Sequence, residues 1–198
     1  MQIYAVVYDA SGRFLIGQKL VQGYYFHRRQ TGRIVPRGQR LNGAGKSALP
    51  GGGLEDGETI EAGCRREFFE ETGVDLSGRY TQATTKTFDY TNDEHRTIRY
   101  ATTYFCVDAE TLTALCTQIT SNLKEGAKAA GEIQQGQITR YYQIHERYPN
   151  APKDNELEDV RIMNVNDPDD WPTIQSWRSD REVDWFSYIL EHLKTTIL

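Results

Sequence analysis

The stretch from Gly52 to Val74, GGLEDGETIEAGCRREFFEETGV, puts five carboxylates in and around one short helix: Glu58, Glu61, Glu67, Glu70 and Glu71. Like charges three and four apart on a helix repel by roughly 0.2–0.5 kcal/mol per pair. A helix here stacks Glu67, Glu70 and Glu71 on one face at i, i+3 and i+4, at a cost to stability that a divalent cation would remove. Hard oxygen ligands in such a cluster suit Mg²⁺ or Mn²⁺ rather than zinc. A Glu-rich helix by itself reads as a solvated surface face, so the meaning of this one rests on its neighbours. Three glycines, Gly51, Gly52 and Gly53, precede it, and they let the backbone bend tightly and approach a ligand closely. Arg66 lies four residues before Glu70 and can brace a carboxylate through a bidentate pair, a role of orientation rather than chemistry.

The elements that must position these groups are legible in outline. The acidic helix is predicted over about Thr59 to Thr72, with Thr59 as N-cap, Glu61 in the first turn and Gly73 as the terminating residue. Ile60, Cys64 and Phe68 fall at i, i+4 and i+8 and form its apolar stripe. Ile3 to Tyr8 and Arg13 to Val21 read as a hairpin across Asp9-Ala10-Ser11-Gly12. Residues 27–46 are basic and Gly-rich with no hydrophobic period, and read as a long loop. Ser47 to Pro50 is a short strand. Strands near Tyr80–Tyr90 and Thr97–Val107 flank the turn Asn92-Asp93-Glu94, with the second open to burial on both faces. Residues 109–123 read as an amphipathic helix, residues 124–155 are ambiguous because Gly126, Gly131 and Gly136 interrupt them, Leu157 to Val165 is a strand, and Ser179 to Leu193 is a terminal helix. This order indicates a mixed α/β domain with helices against a central sheet.

Composition narrows the classes. At 198 residues, 38% hydrophobic and 26% charged, the chain suits one folded domain with embellishments. A net charge of −5 gives no general affinity for nucleic acid. Three scattered cysteines make neither a disulfide framework nor a metal motif. Nothing suggests secretion or a membrane span, and a cytoplasmic location is expected.

From Gly52, five residues lead to Glu58 and seven more to Arg66, followed by Glu67-Phe68-Phe69-Glu70-Glu71-Thr72-Gly73-Val74. This resembles the Nudix box, GX5EX7REUXEEXGU with U apolar, at every fixed position. The specific likeness covers about an eighth of the chain. It implies a Nudix-like α/β/α sandwich with a central mixed sheet. The domain would span residues 1–198, with a helical insertion at about 109–155. It also implies a hydrolase that cuts a phosphoanhydride bond in a nucleoside diphosphate linked to another moiety, with Mg²⁺ or Mn²⁺ required. Carried over from the box, Glu67, Glu70 and Glu71 are the metal ligands, and Glu67 is alternatively the base. Glu58 is a weaker ligand or a water-orienting group, and Arg66 supports them. Many such enzymes supply a further carboxylate before a late strand; Glu156 is favoured over Glu158 here, the alternative being two solvated charges.

Substrate contacts are expected from Gly51, Gly52 and Gly53 and from the basic stretch, where Arg37 and Arg40 stand with Arg28, Arg29, Arg33 and Lys46; the alternative for any one arginine is a solvated loop. Tyr90 lies 16 residues after Val74, near the place of a tyrosine that marks dinucleoside polyphosphate enzymes of this family, and reads equally as a core strand residue. The four histidines read as ordinary surface or core residues, and Trp171 and Trp177 as packing for the terminal helix around a Pro- and Asp-rich turn. Two competing readings are a nucleotide-sensing or protein-binding module without turnover and a hydrolase of capped RNA. A homodimer is expected from the resemblance.

Overall fold

The computed structural model describes residues 1–28, 31–91 and 97–198. Among these, β1 (Gln2–Asp9), β2 (Arg13–Lys19), β3 (Gln22–Arg28), β4 (Thr31–Arg40), β5 (Ser47–Ala48) and β6 (Gly51–Gly53) precede α1 (Ile60–Thr72). Then come β7 (Gln82–Thr91), β8 (Thr97–Val107), α2 (Ala109–Gln134), α3 (Tyr142–Arg147), β9 (Leu157–Asn164), α4 (Asp170–Ser176) and α5 (Asp184–His192). The main sheet runs β5-β2-β1-β8-β7, with β6 also on β1 and β9 also on β2. It is mixed, because β1 and β8 pair in parallel, Val6 opposite Tyr104, while β1 and β2 are antiparallel.

The side-chain period of two along β1 divides the core. Tyr4, Val6 and Tyr8 point to one face, where Phe186, Ile189 and Leu190 of α5 cover them. Ile3, Ala5 and Val7 point to the other, against Cys64 and Phe68 of α1 and Leu112, Leu115 and Ile119 of α2. Helices thus bury both faces, and the expected α/β/α sandwich is the observed one. Central β8 is buried on both sides from Tyr100 to Phe105, as its mixed pattern allows.

The stretch 27–46 is not a long loop. Its first part completes β3 and then forms β4, in a separate two-stranded sheet with Tyr25 opposite Ile34. No period of two shows in β4 because most of its residues are exposed. Pro36 is tolerated there, since β4 pairs only with β3 and so has an edge free of ladder bonds. The hairpin closes a third small core, with Tyr25 against Ala129 and Ile133 of α2 and Ile144 of α3.

Gly126 and Gly131 do not interrupt the chain; both lie inside α2, which runs to Gln134. At Gly126 a Cβ would stand 2.8 Å from the Tyr25 hydroxyl, so the glycine serves packing against the hairpin. Gly136, with φ of +73°, follows the end of that helix. The segment between Trp171 and Trp177, expected as a turn, lies in helix α4 and holds no Asp, and the terminal helix starts at Asp184 rather than Ser179. The turn Asn92-Asp93-Glu94 lies outside the described residues. Among the described residues no helix is long and apolar enough to cross a membrane.

Candidate active site

Local chemistry fixes α1 as expected. The Thr59 hydroxyl accepts the Ala62 N–H at 3.2 Å, and Gly73 ends the helix in the left-handed region at φ +71°. Cys64 and Phe68 face the core, which forces Glu67, Glu70 and Glu71 against β6 and the segment before β9. All three are buried: Glu67 is 9%, Glu70 6% and Glu71 2% exposed. This is no solvated face. The glycines matter for proximity rather than for bending. Gly51 to Gly53 are extended and pair with Gln2 to Tyr4 of β1. A Cβ on Gly52 would lie 2.5 Å from the Glu67 carboxylate, so glycine lets the helix sit against the strand.

Arg66 braces the acids. Its Nε and Nη2 donate to the two oxygens of Glu58 at 2.8 and 3.0 Å, a bidentate pair. Its Nη1 donates to Glu67 at 2.7 Å and Glu70 at 3.2 Å, and its Nη2 also reaches the Gly53 carbonyl at 2.9 Å. The pairing holds the Glu58 carboxyl below its ordinary range. Glu61 is engaged elsewhere, accepting from the Tyr80 hydroxyl at 2.7 Å.

Further groups join the cluster from distant segments. Glu156 pairs with Lys19 at 2.8 Å; Lys19 stands where β2 shifts register against β9. Glu158 is exposed on β9. Asp154, which the sequence reading passed over, is 8% exposed. Its N–H donates to the Glu70 carbonyl at 2.9 Å, and its carboxylate accepts the His27 N–H. The His27 ring, expected to be unremarkable, places Nδ1 3.0 Å from Glu70. The neighbouring Asn155 is tied to both sides of the hairpin start: its N–H donates to the Tyr25 carbonyl, and its side chain accepts the Tyr24 N–H. Lys19 and His27 carry no local pattern that would have exposed them. The acid-rich run Asp154-Asn155-Glu156-Leu157-Glu158 does, and Asp154 is its first member.

Gathering these acids in a dry place opposes their ionisation. Burial, against the pull of Arg66 and with Glu70 and Glu156 nearby, pushes Glu67 up to about 7. Burial, then Glu156, Glu70 and Glu67, raise Asp154 to about 8 despite the His27 N–H. Burial and Glu156 lift Glu71 well above its usual range, with Lys19 opposing. Glu71 Oε1 accepts a weak bond from the Gly51 N–H at 3.4 Å, and Oε2 is buried with no partner. A buried oxygen without a donor and mutually destabilised carboxylates form a donor set that a hard divalent cation would satisfy. Among the described residues no three such groups already converge as a finished metal shell; Arg66, Lys19 and His27 hold them instead.

A cavity of about 690 Å³ opens beside the cluster. Lys19, His27, Gly51, Asp154 and Glu156 line its acidic side, Tyr4, Trp185 and Phe186 an aromatic part, and Arg28, Arg33 and Arg40 its hairpin side. Gly52, Gly53 and Arg37 do not line it, and neither do Glu58, Arg66, Glu67, Glu70 or Glu71 of the α1 cluster; Arg37 is exposed on β4. Lys46 pairs with Asp180. Arg29 and the side chain of Tyr90 lie outside the described residues, although the Tyr90 backbone is paired on β7 opposite Ile98.

A family model described as the NUDIX domain matches residues 3–186. No curated protein sequence matches the chain. Among solved structures it is similar to a bifunctional NMN adenylyltransferase/ADP-ribose pyrophosphatase from Francisella tularensis, complexed with AMP and a manganese ion. That match has 25% identity and a TM-score of 0.37, and covers 54% of this chain and 27% of that one. It is also similar to a MutT protein from Methanosarcina mazei, at 22% identity and a TM-score of 0.33, covering 55% and 64% of the two chains. A third is a NUDIX hydrolase from Nitrosomonas europaea, at 14% identity and 0.39, covering 90% and 87%. The chain thus spans 27% and 64% of the length of the first two.

Proposed function

The chain belongs to the Nudix family, and from that premise we propose that it is a divalent-metal-dependent pyrophosphohydrolase acting on a nucleoside diphosphate linked to another moiety. One observation carries the reading: acids from α1 and from the segment before β9 form one mostly buried cluster, with an unpartnered Glu71 oxygen among them, beside a cavity that Asp154 and Glu156 line. Such an arrangement is costly for stability and is maintained only where a cation and a charged substrate complete it.

Glu67, Glu70, Glu71 and Glu156, with Asp154 beside them, are the residues that would hold Mg²⁺ or Mn²⁺. When bound, the cation supplies charge neutralisation for a diphosphate and activation of water at phosphorus. Arg66 orients Glu58, Glu67 and Glu70 so that their oxygens keep fixed positions. Alternatively to ligating the cation, Glu67 would be the group that takes a proton from the attacking water. The aromatic wall offers Tyr4, Trp185 and Phe186 to a nucleobase. Both expected site glycines that lie outside the cavity, Gly52 and Gly53, contribute through backbone placement. The cytoplasm, where nucleotides abound, is the fitting place of action, and a homodimer remains part of this reading.

Incubation with a panel of nucleotide sugars, dinucleoside polyphosphates and capped RNA in Mg²⁺ tests the proposal, with Glu70→Gln as control. Turnover of at least one small diphosphate compound, lost in the variant and on chelation, is the expected result. Tight nucleotide binding without cleavage would instead favour a sensing module.

A further inference from the structure

His27 stands where the β3–β4 hairpin meets the acid cluster. It follows Tyr25 by two residues on β3 and pairs across the hairpin with Gly32. Cross-strand partners share a face, and residues two apart on a strand do too. His27 therefore lies on the inward face of Tyr25 and Ile34, not on that of Phe26 and Arg33. Its place there is fixed more than once. Its backbone N–H donates to the Asp154 carboxylate. Its ring lies 6.1 Å from the Tyr141 ring, tilted by 34°, and the Tyr141 hydroxyl is itself anchored, donating to the Lys153 carbonyl at 2.9 Å. A Cβ on Gly32 would run into the Tyr141 ring, so glycine at that position admits the ring that backs the histidine.

From that fixed position the ring reaches one acid. Nδ1 stands 3.0 Å from Glu70 Oε1; a carboxylate only accepts, so Nδ1 carries the proton and donates. The other oxygen, Oε2, accepts from Arg66 at 3.2 Å. Arg66 is shared among Glu58, Glu67 and Glu70 and rides on the same helix as Glu67 and Glu70, so it orders those acids relative to one another. His27 belongs to the hairpin and ties Glu70 to a part of the molecule outside α1. With one donor on each oxygen the carboxylate cannot swing about its side-chain torsions, and each oxygen keeps a further lone pair for a cation. We infer that His27 is a positioning residue, which acts through Glu70 by holding its carboxylate in the orientation that ligates a divalent cation. This rests on the hydrolase reading above and deepens it. The hairpin thereby takes part in metal binding although none of its residues belongs to the helix that carries the acids.

The test reads Mn²⁺ affinity directly, from the free-ion signal in electron paramagnetic resonance, with the metal alone as probe. The proteins are the wild type, His27→Leu, His27→Asn and an exposed helix variant, Lys128→Gln. Asparagine sets its amide nitrogen where Nδ1 stands and keeps the donor; leucine fills part of the ring's space and offers none. The dissociation constant for Mn²⁺ rises about tenfold in His27→Leu and about threefold or less in His27→Asn and Lys128→Gln, the loss expected when a ligand's outer hydrogen bond is removed. The thermal melts of the variants stay close to that of the wild type. Unchanged affinity in His27→Leu, or an equal loss in His27→Leu and His27→Asn, overturns the inference while leaving a metal site in place. Should His27→Leu not fold, His27→Gln, whose amide nitrogen falls at the Nε2 position instead, is compared with His27→Asn and the same outcomes decide. A wild type that binds no Mn²⁺, or binds it as tightly as Glu70→Ala does, removes the metal-dependent reading and this inference together.

Discussion

The β3–β4 hairpin lines the cavity, helix α1 supplies the acid cluster beside it, and the two are built on opposite terms. The helix is locked by its own sequence: a side-chain cap at Thr59, a left-handed glycine at 73, an apolar stripe and an arginine that grips three of its neighbouring acids. The hairpin has few internal constraints, and its position comes from Tyr25 and Ile34 packing on α2 and α3. The comparison teaches that the acid cluster is held by local helical sequence and the hairpin by packing on α2 and α3, with His27 as a link between them through Glu70 and Asp154. Destabilising forces concentrate in the first region, as buried like charges, and in the second as a single orphan hydroxyl on Tyr25.

The largest effect should come from crowding the helix. In Gly52→Ala the new Cβ must displace the Glu67 carboxylate, which would otherwise lie 2.5 Å away. Turnover should fall by about 10- to 100-fold, as for displaced supporting groups, and unfolding free energy by about 1–3 kcal/mol, as for overpacking. Steady-state kinetics and urea titration measure both, and an alanine variant with full activity would break the claim that α1 is held to tight tolerance.

The second effect separates the acids from the rest of the molecule. Glu67 and Asp154 are raised to about 7 and about 8, whereas free carboxyls titrate near roughly 4. The folded state therefore binds more protons than the unfolded state between those limits, and metal-free stability falls as pH rises through that window. If magnesium binds these acids as proposed, it should take the place of the protons and flatten the slope. Melting temperatures from about pH 5 to 8, with and without the cation, report it, and a flat metal-free profile would show the acids to be less strained than their burial implies. Asp9, where bonds from Ser11 and Arg13 overcome burial to lower the carboxyl, works in the opposite direction, losing its contribution only as pH drops below the ordinary carboxylate range.

The smallest effect belongs to the hairpin. Its Tyr25 hydroxyl is buried without a hydrogen-bond partner, so Tyr25→Phe removes an unsatisfied polar group and should raise stability by about 1 kcal/mol. A loss of stability in chemical denaturation would mean that the hydroxyl does structural work the geometry does not reveal.

Capping and helical period made α1 legible, an apolar run β1, and helical period most of the terminal helix, because each depends on residues near one another in the chain. The hairpin escaped notice because it is mostly exposed and has no hydrophobic alternation to read. The length of α2 was obscured because Gly126 answers to Tyr25, more than a hundred residues earlier. His27 was passed over for a similar reason: its partner Glu70 is 43 positions away, and only packing brings them within 3.0 Å.

The sequence by itself determined the chemistry of the acid cluster, since the spacing of Glu58, Arg66, Glu67, Glu70 and Glu71 follows from helical geometry alone. It also determined the layered architecture, through the apolar periods of strand and helix. Only the tertiary structure decided that those acids are buried rather than solvated, that Asp154, Glu156, Lys19 and His27 join them, and that Arg40 reaches the cavity while Arg37 does not. These depend on long-range register and packing, where one residue of shift sends a side chain to the other face.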